Sequence, residues 1–407
     1  MAEYVGCVLG PGIEDRVISL GSGLAAIPER LLLAHARGEV LFICGAGISL
    51  PAGLPDFRKL VIDVYSQLDA GVHAVLSTLP SGVQKHSQVD CSGLTGRQTA
   101  EVQRFINGEY DVVLGMLERR LDDRTRGDSQ VRREVASRLH SKTSKPAPIH
   151  RALMRLADRG GSTTIVTTNF DLLLELAAQR LRSPVPTYAL GSIPRPSRHS
   201  DFTGVLHIHG ALEKNSLQMS ELVLSDQDFG EFYMRRRVVP DFIYDAARLF
   251  HLVLVGYSLN DPPMRYLLNA VAADGSRFDD LRERYIFFGS DVPDPVSLED
   301  WKARGITPVS YDSNGKHISL LETLNRWAEL SAVNGKKEKI DKELRRIVKA
   351  SRATALEADR DLFDHLFRRS NSSERARLAS LISDARADID WLTAILEIGA
   401  ERERGRK

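Results

Sequence analysis

The sequence predicts an α/β fold: a doubly wound, mainly parallel sheet carrying a helical insertion and a C-terminal helical region. Three observations predict it. Short continuous apolar runs, rich in β-branched residues, recur at strand length and suit strands buried on both faces. Helical patterns separate them, as the crossovers between parallel strands require. Glycine-bearing motifs follow several runs, at the strand carboxyl ends where open α/β sheets bind ligands.

Taken in order, the first helix is predicted over Pro28 to Arg37, with Pro at its start and Gly38 beyond its end. Val40-Leu41-Phe42-Ile43-Cys44 follows as the first buried strand. Similar runs lie at Thr163 to Thr167, Val205 to Ile208, His251 to Val255, Tyr285 to Phe288 and Thr307 to Ser310. Pro186 to Leu190 and Leu222 to Leu224 are weaker candidates. Six strands suffice for a Rossmann-like sheet. From about residue 60 to 147 the chain is polar and helical by pattern, and reads as an insertion after the first strand. Residues 318–407 again read as helical. Asn371-Ser372-Ser373-Glu374 resembles a capping box. It opens a last helix with Leu378, Leu381, Ile382, Ala385, Ile389, Leu392 and Ile395 as one apolar stripe. The domain reading is a ligand-binding domain over 27–317 and a helical region over 318–407, large enough for oligomer or partner contacts.

Composition excludes other classes. Among 407 residues, 43% hydrophobic and 27% charged are ordinary globular values, which argues against wholesale disorder. Lys plus Arg number 55 against 54 Asp plus Glu, so no direct nucleic-acid binding through bulk positive charge is expected. Cys7, Cys44 and Cys91 stand far apart, without a CxxC pair, and offer neither a disulfide framework nor a four-cysteine zinc site. Met1 to Gly12 lacks the pattern of a signal peptide. The run Leu249 to Val255 is interrupted by His251 and is too short to span a bilayer. A cytoplasmic location without membrane association is the expectation.

The most informative segment is Gly45-Ala46-Gly47-Ile48-Ser49-Leu50-Pro51-Ala52-Gly53-Leu54-Pro55-Asp56-Phe57-Arg58. A buried strand feeding a Gly-Ala-Gly turn lets backbone N–H groups approach a phosphate, with the next helix start adding its positive end. The spacing is not GxGxxG, and no strand-end acid follows about twenty residues on. Three other motifs follow predicted strands: Thr167-Thr168-Asn169-Phe170-Asp171, His207-Ile208-His209-Gly210-Ala211-Leu212 and Gly256-Tyr257-Ser258-Leu259-Asn260-Asp261-Pro262.

In this order the four motifs closely resemble those of the sirtuins, the NAD-consuming silent-information-regulator family, over residues 27–312. The resemblance implies that the loop bearing Gly45, Ala46, Gly47 and Ser49 surrounds the pyrophosphate and nicotinamide ribose of NAD. It implies Asp56, Phe57 and Arg58 as a lid over nicotinamide, with Arg58 pairing with phosphate or with Asp56. Gly256, Tyr257, Ser258 and Asn260 are placed at the ribose, together with Thr168 and Asp171. Asp171 has an equal claim as a helix N-cap. Asn169 becomes the candidate to position water and ribose hydroxyls, since an amide both donates and accepts. His209 becomes the candidate general base, its ordinary pKa lying near neutrality. His207 reads as a buried structural histidine. No metal is expected, because no third ligand has motif spacing with the two histidines.

The departures matter as much. Deacetylase sirtuins carry a four-cysteine zinc module that this chain cannot build. The variants Thr-Thr-Asn-Phe-Asp and Gly-Tyr-Ser-Leu-Asn-Asp-Pro look instead like the bacterial sirtuin-like branch, which hydrolyses NAD in antiphage defence. The lone Phe229-Gly230-Glu231 lacks the deacetylase peptide-loop context and reads as a chance match. An NAD hydrolase releasing nicotinamide and ADP-ribose is therefore the leading expectation. The resemblance also implies a homo-oligomer and a separate partner, a HerA-type ATPase or alternatively a short Argonaute. The rival readings are a non-catalytic NAD or ADP-ribose sensor and, less favoured, a zinc-free protein deacylase.

Overall fold

The computed structural model describes residues 16–80, 89–122, 129–140, 144–179, 184–197, 201–212, 222–257, 268, 281–291 and 294–404. Strands β1 (Val17–Ser19) and β2 (Ala26–Pro28) form a short antiparallel pair. Seven parallel strands then build the main sheet: β3 (Val40–Cys44), β4 (Thr164–Thr167), β5 (Thr187–Ala189), β6 (Gly204–His207), β7 (His251–Val255), β8 (Arg284–Ser290) and β9 (Thr307–Asp312). Their spatial order is β5-β6-β4-β3-β7-β8-β9. The chain lays strands to one side of β3 and then, from β7, to the other. The reversal falls between β3 and β7, so the crevice at their carboxyl ends is the place where such sheets take ligands. This is the Rossmann-like, doubly wound sheet expected from the sequence.

The continuous apolar runs are explained by burial on both faces. Along β3, Val40, Phe42 and Cys44 enter one core while Leu41 and Ile43 enter the other. In β7, Val253 and Val255 take the first side and Leu252 and Leu254 the second. Each such side chain contributes about 1.5–3 kcal/mol by leaving water, which is why these strands tolerate no polar alternation. Helix α1 (Glu29–Ala36) brings Leu31 and Leu32 to the first core; the helix Val238–Leu249 brings Ile243 and Ala246 to the second.

The region after residue 318 does not stand apart from the sheet. The expected boundary falls at a kink, where Gly315, Lys316 and His317 are all left-handed, and the helical turns that follow up to Leu330 bring Leu320, Leu324 and Trp327 into the first core with Phe42 and Val255. Farther on, Phe363 and Trp391 join the same core, their rings 4.5 Å apart. Glu29 at the start of α1 is fully buried and receives His365 at 3.3 Å and Arg368 at 3.2 Å. One face of the sheet is thus closed by C-terminal helices, through apolar packing and a buried ionic anchor.

The insertion comprises α2 (Phe57–Leu68), α3 (Ala70–Leu76), α4 (Gly96–Ile106), α5 (Tyr110–Leu121) and α6 (Gln130–Leu139), after which α7 (Pro148–Ala157) leads to β4. Asp56, Asp69, Thr95 and Ser129 each cap a helix start with a side-chain oxygen. Leu60, Val64, Val102, Phe105, Leu114 and Val131 give it a core of its own.

Three local expectations are corrected. Leu222 to Leu224 forms no strand. Its residues are apolar because they are buried between insertion and sheet, with Leu224 in the insertion core and Val223 N donating to His209 O at 2.8 Å. The last apolar stripe belongs to two helices, Ser372–Asp384 and Ile389–Arg404, separated at Arg386 with φ 53°. Ile389, counted in that stripe, is 72% exposed. The cap itself is as read, Asn371 Oδ1 accepting from Glu374 N at 2.9 Å.

Candidate functional site

The glycine loop after β3 and the turn after β7 are zipped together. Gly45 N donates to Val255 O at 2.9 Å and Gly47 N to Gly256 O at 3.0 Å. Ile48 N and Ser49 N are used within the loop, on Gly45 O and Ala46 O. In this structure the N–H groups of Gly45 and Gly47 are thus used in close backbone packing. Gly256, at φ 74°, adopts the left-handed conformation this turn requires. A Cβ on Gly45 would lie 2.7 Å from Gly256 O, and one on Gly47 2.9 Å from Gly256 Cα. Gly45→Ala is accordingly expected to force the two loops apart at a cost of about 1–3 kcal/mol. A thermal melt indistinguishable from the unaltered protein would rule out this packing.

Asn169 lies two residues beyond β4 and is 9% exposed. Its Nδ2 donates to Gly45 O at 3.2 Å and to Ser49 Oγ at 3.1 Å. Among the described residues its Oδ1 has no hydrogen-bond partner. Ser49 is the hub of the loop: its hydroxyl donates to Asp171 Oδ2 at 2.9 Å while accepting from Asn169. Asp171 Oδ1 in turn accepts from Leu173 N at 3.1 Å, so this carboxylate ties the loop to the first residue of α8 (Leu173–Ala178), whose N-cap position is taken by Leu172. Burial pushes its pKa up, against the two hydrogen bonds. Thr168 Oγ1 and Tyr257 Oη lie 3.1 Å apart, and Tyr257 Oη donates to Cys44 O at 3.3 Å, drawing the β7 turn over the end of β3. Ser258 and Asn260 lie outside the described residues.

The expected pairing of Arg58 with Asp56 is not formed. Asp56 uses its carboxylate on Lys59 N at 2.7 Å, because the first N–H groups of α2 need an acceptor. Arg58 donates instead to Leu79 O at 2.6 Å and stacks 5.2 Å from the Phe105 ring centre. Phe57 meets Tyr110 edge-on at 5.9 Å. In this structure the triplet seats the insertion.

The register of β4 on β6 pairs Thr167 with His207, so Asn169 and His209 each follow by two residues on adjacent strands. His209 is 5% exposed, with Nε2 2.6 Å from Tyr233 Oη and Phe229 edge-on at 5.6 Å. Burial drives its pKa down to about 3, so the near-neutral value expected from sequence does not hold here. In the tautomer with its proton on Nδ1, Nε2 accepts from the Tyr233 hydroxyl; in the other, Nε2–H donates to it. Tyr233 sits in a π-helical turn, Gly230–Arg235, a distortion frequent at functional sites.

Three participants escaped the sequence, and a fourth, His207, was read only as a buried structural residue. Tyr233 follows Phe229-Gly230-Glu231, which had been read as chance. Glu175 has one visible signal, lying four residues after Asp171 on the same helical face. It meets His207 Nε2 at 2.7 Å. His207 itself, read as structural, reaches Asn169 O through Nδ1 at 2.8 Å. His150 lies just past the insertion with Nε2 3.5 Å from Ser49 Oγ; burial lowers its pKa to about 4.

Residues 163–309 match the SIR2-like domain family. This SIR2-like segment runs from the start of β4 into β9 and contains Asn169, His209 and Gly256; the glycine loop precedes it. The chain is also 35% identical over 295 residues to the uncharacterized protein y4cA of Sinorhizobium fredii (strain NBRC 101917 / NGR234). The overlap takes in 71% of this chain and 22% of that protein, so the chain spans about a fifth of its relative's length. Among solved structures, "Structural Basis for the Mechanism and Regulation of Sir2 Enzymes" shares 15% identity over 74% of this chain and 95% of that one, at TM-score 0.32. A crystal structure of a Sir2 homolog–NAD complex shares 16% over 76% and 96%, at TM-score 0.33. Among the described residues no group of three or more His, Cys, Asp or Glu side chains is placed to hold a metal ion. Among them, too, no helix is long and apolar enough to cross a membrane.

The buried histidines give an acid-stability prediction. His35 and His150, lowered to about 4, and His209, lowered to about 3, are all depressed by burial from the usual 6.5. Folding then holds them neutral while the unfolded chain takes up protons. Their contribution is fully present above pH 6.5 and is lost as pH falls toward 3. Three such groups give a slope of roughly 4 kcal/mol per pH unit near pH 5. His207, raised, works the other way, its contribution present below 6.5 and lost as pH rises through its folded value. Denaturant melts from pH 7 to 4.5 measure the balance; constant stability across that range would contradict it.

Proposed function

We propose that the chain is an NAD nucleosidase, releasing nicotinamide and ADP-ribose, and that it acts in antiphage defence by depleting NAD. The observation that carries the reading is the Asn169 amide, pinned by the glycine loop at the switch point of the sheet, with Oδ1 left as an acceptor among the described residues. The SIR2-like match over the Asn169 and His209 motifs supports the choice of NAD. Cleavage breaks the bond between nicotinamide and ribose. Nicotinamide leaves with the bonding pair, while water adds its oxygen to the sugar and gives up a proton. Asn169 Oδ1 orients that water or a ribose hydroxyl, and preorganisation by Gly45 and Ser49 means no reorientation is required during reaction. His209 accepts the proton once Tyr233 turns away from Nε2.

The Tyr233–His209 contact supports a further part of the reading: the lone chain is held in a restrained state that assembly releases. The proposed assembly is a homo-oligomer with a HerA-type ATPase, or alternatively a short Argonaute, in the cytoplasm. The same contact favours the rival reading of an NAD or ADP-ribose sensor. Incubation of the purified protein with NAD, with and without an acetylated peptide, followed by quantification of nicotinamide, separates the readings. Peptide-independent release supports the nucleosidase. Measurable NAD binding without release, in the presence of the partner too, replaces it with the sensor. Release only with the peptide returns the deacylase.

A further inference from the structure

Behind the Asn169 backbone lies a second buried pair that the reaction above does not use. His207 is fully buried, and both its ring nitrogens face oxygen acceptors: Nδ1 the Asn169 carbonyl at 2.8 Å, Nε2 the Glu175 carboxylate at 2.7 Å. A carbonyl cannot donate, so Nδ1 must carry a proton. A carboxylate on the other side calls for a second. We propose that His207, held as a two-donor imidazolium between Glu175 and the Asn169 carbonyl, is a positioning residue that fixes Asn169 for cleavage of the nicotinamide–ribose bond. The assignment rests on the nucleosidase reading for its kinetic consequence, but the proton state of His207 does not.

The chain of support is short and rigid. Glu175 stands on α8, and its Oε1 also accepts from Thr187 Oγ1 of β5 at 3.2 Å, while among the described residues its buried Oε2 has no partner. Asp171, just before α8, adds negative charge toward His207. Among the described residues His150 also faces this cluster, and burial keeps it neutral. Burial alone would lower the pKa of His207, but the Glu175 hydrogen bond and charge, then the Asn169 carbonyl, outweigh it and raise it. When pH exceeds that raised value, the ring keeps its proton on Nε2, facing the carboxylate. Nδ1 then presents a lone pair to the Asn169 carbonyl, and two acceptors repel across 2.8 Å. Asn169 is displaced and the amide loses its register on Gly45 and Ser49. With Gln at position 175 the ring is neutral at all working pH values. Nδ1–H still reaches Asn169 and Nε2 accepts from the Gln amide, so no proton remains to be lost.

The test pairs kinetics with nitrogen NMR on the full chain. In the unaltered protein, kcat falls tenfold per pH unit on the basic side of the pair's titration, with the NAD dissociation constant moving less than kcat. In Glu175→Gln the residual activity shows no such limb. An unchanged basic limb in Glu175→Gln overturns the proposal. Independently of turnover, ¹⁵N-histidine spectra show both His207 nitrogens protonated at pH 7. The Asn169 side-chain amide resonance shifts with the His207 titration in the unaltered protein but not in Glu175→Gln. A neutral His207 ring at pH 7, or an Asn169 amide blind to its titration, overturns the proposal even if the protein releases no nicotinamide. Spectra as expected without any release, in the presence of the partner too, would retain the pair and discard the nucleosidase.

Discussion

Asn169→Ala is expected to lower nicotinamide release from NAD by about a hundredfold or more, the usual loss when one preorganised polar group is removed from a reacting centre. The substitution acts twice. It deletes Oδ1, an acceptor left open among the described residues, and deletes Nδ2, which ties Gly45 O and Ser49 Oγ together. Because Asn169 is 9% exposed, the second loss also leaves acceptors under-satisfied, at about 1–3 kcal/mol of stability. Activity loss and destabilisation are thus separable by magnitude, and a melting curve taken beside the assay shows whether the fold persists. Asn169→Asp sharpens the test. It keeps Oδ1 but converts the donor into an acceptor facing Gly45 O, with Asp171 already bonded to the same Ser49. If the open acceptor alone sufficed, Asn169→Asp would keep substantial activity; the geometry predicts that it falls with the alanine variant. Near-normal turnover in both would remove Asn169 from the reaction.

How much of this was legible beforehand depends on which interactions are local. The runs that became β3, β4, β6, β7, β8 and β9 announced themselves because burial on two faces leaves no polar alternation. The pair β1–β2 was missed since three residues per strand carry no period. Leu222 to Leu224 misled because apolarity reports burial and does not by itself choose a backbone conformation. The same division runs through the site. Gly45, Gly47 and Gly256 were legible as glycines, yet the use made of them, loop against loop, depends on a contact between residues about 210 positions apart. Arg58 was assigned by motif to phosphate or to Asp56; the Asp56 pairing is not formed, since a position in the first turn of α2 turns Arg58 toward Leu79 and Phe105. His209 was found by motif, but its pKa was unreadable. Burial decides it, and part of that burial comes from Tyr233 and Phe229 on a distant turn.

The largest expected effect on stability lies away from the reacting groups, at Arg132. Its side chain is 1% exposed and joins α6 to α5 through Glu118 at 2.9 Å, to the short helix Asp226–Phe229 through Asp228 at 2.6 Å, and to Leu222 O at 3.1 Å. Asp228 Oδ2 also accepts from Leu224 N at 3.1 Å and Ser225 N at 2.9 Å. Arg132→Met preserves much of the apolar stem but leaves two buried carboxylates without their cation, which costs about 3–5 kcal/mol. Arg119, paired to neighbouring Asp226 at 3.0 Å but more than a third exposed, supplies the control. Arg119→Met is expected to cost at most about 1 kcal/mol. Denaturant melts of the two variants therefore diverge severalfold, and equal losses would deny Arg132 its special place. The consequence reaches the site because Asp228 lies five residues before Tyr233. Loosening that turn admits water to His209, whose pKa then climbs from about 3 toward the ordinary 6.5. A histidine titration in Arg132→Met, compared with Arg119→Met, reads that coupling directly. A His209 ring that still titrates near its unaltered value while the variant is folded would show that the insertion and the Tyr233 turn move independently.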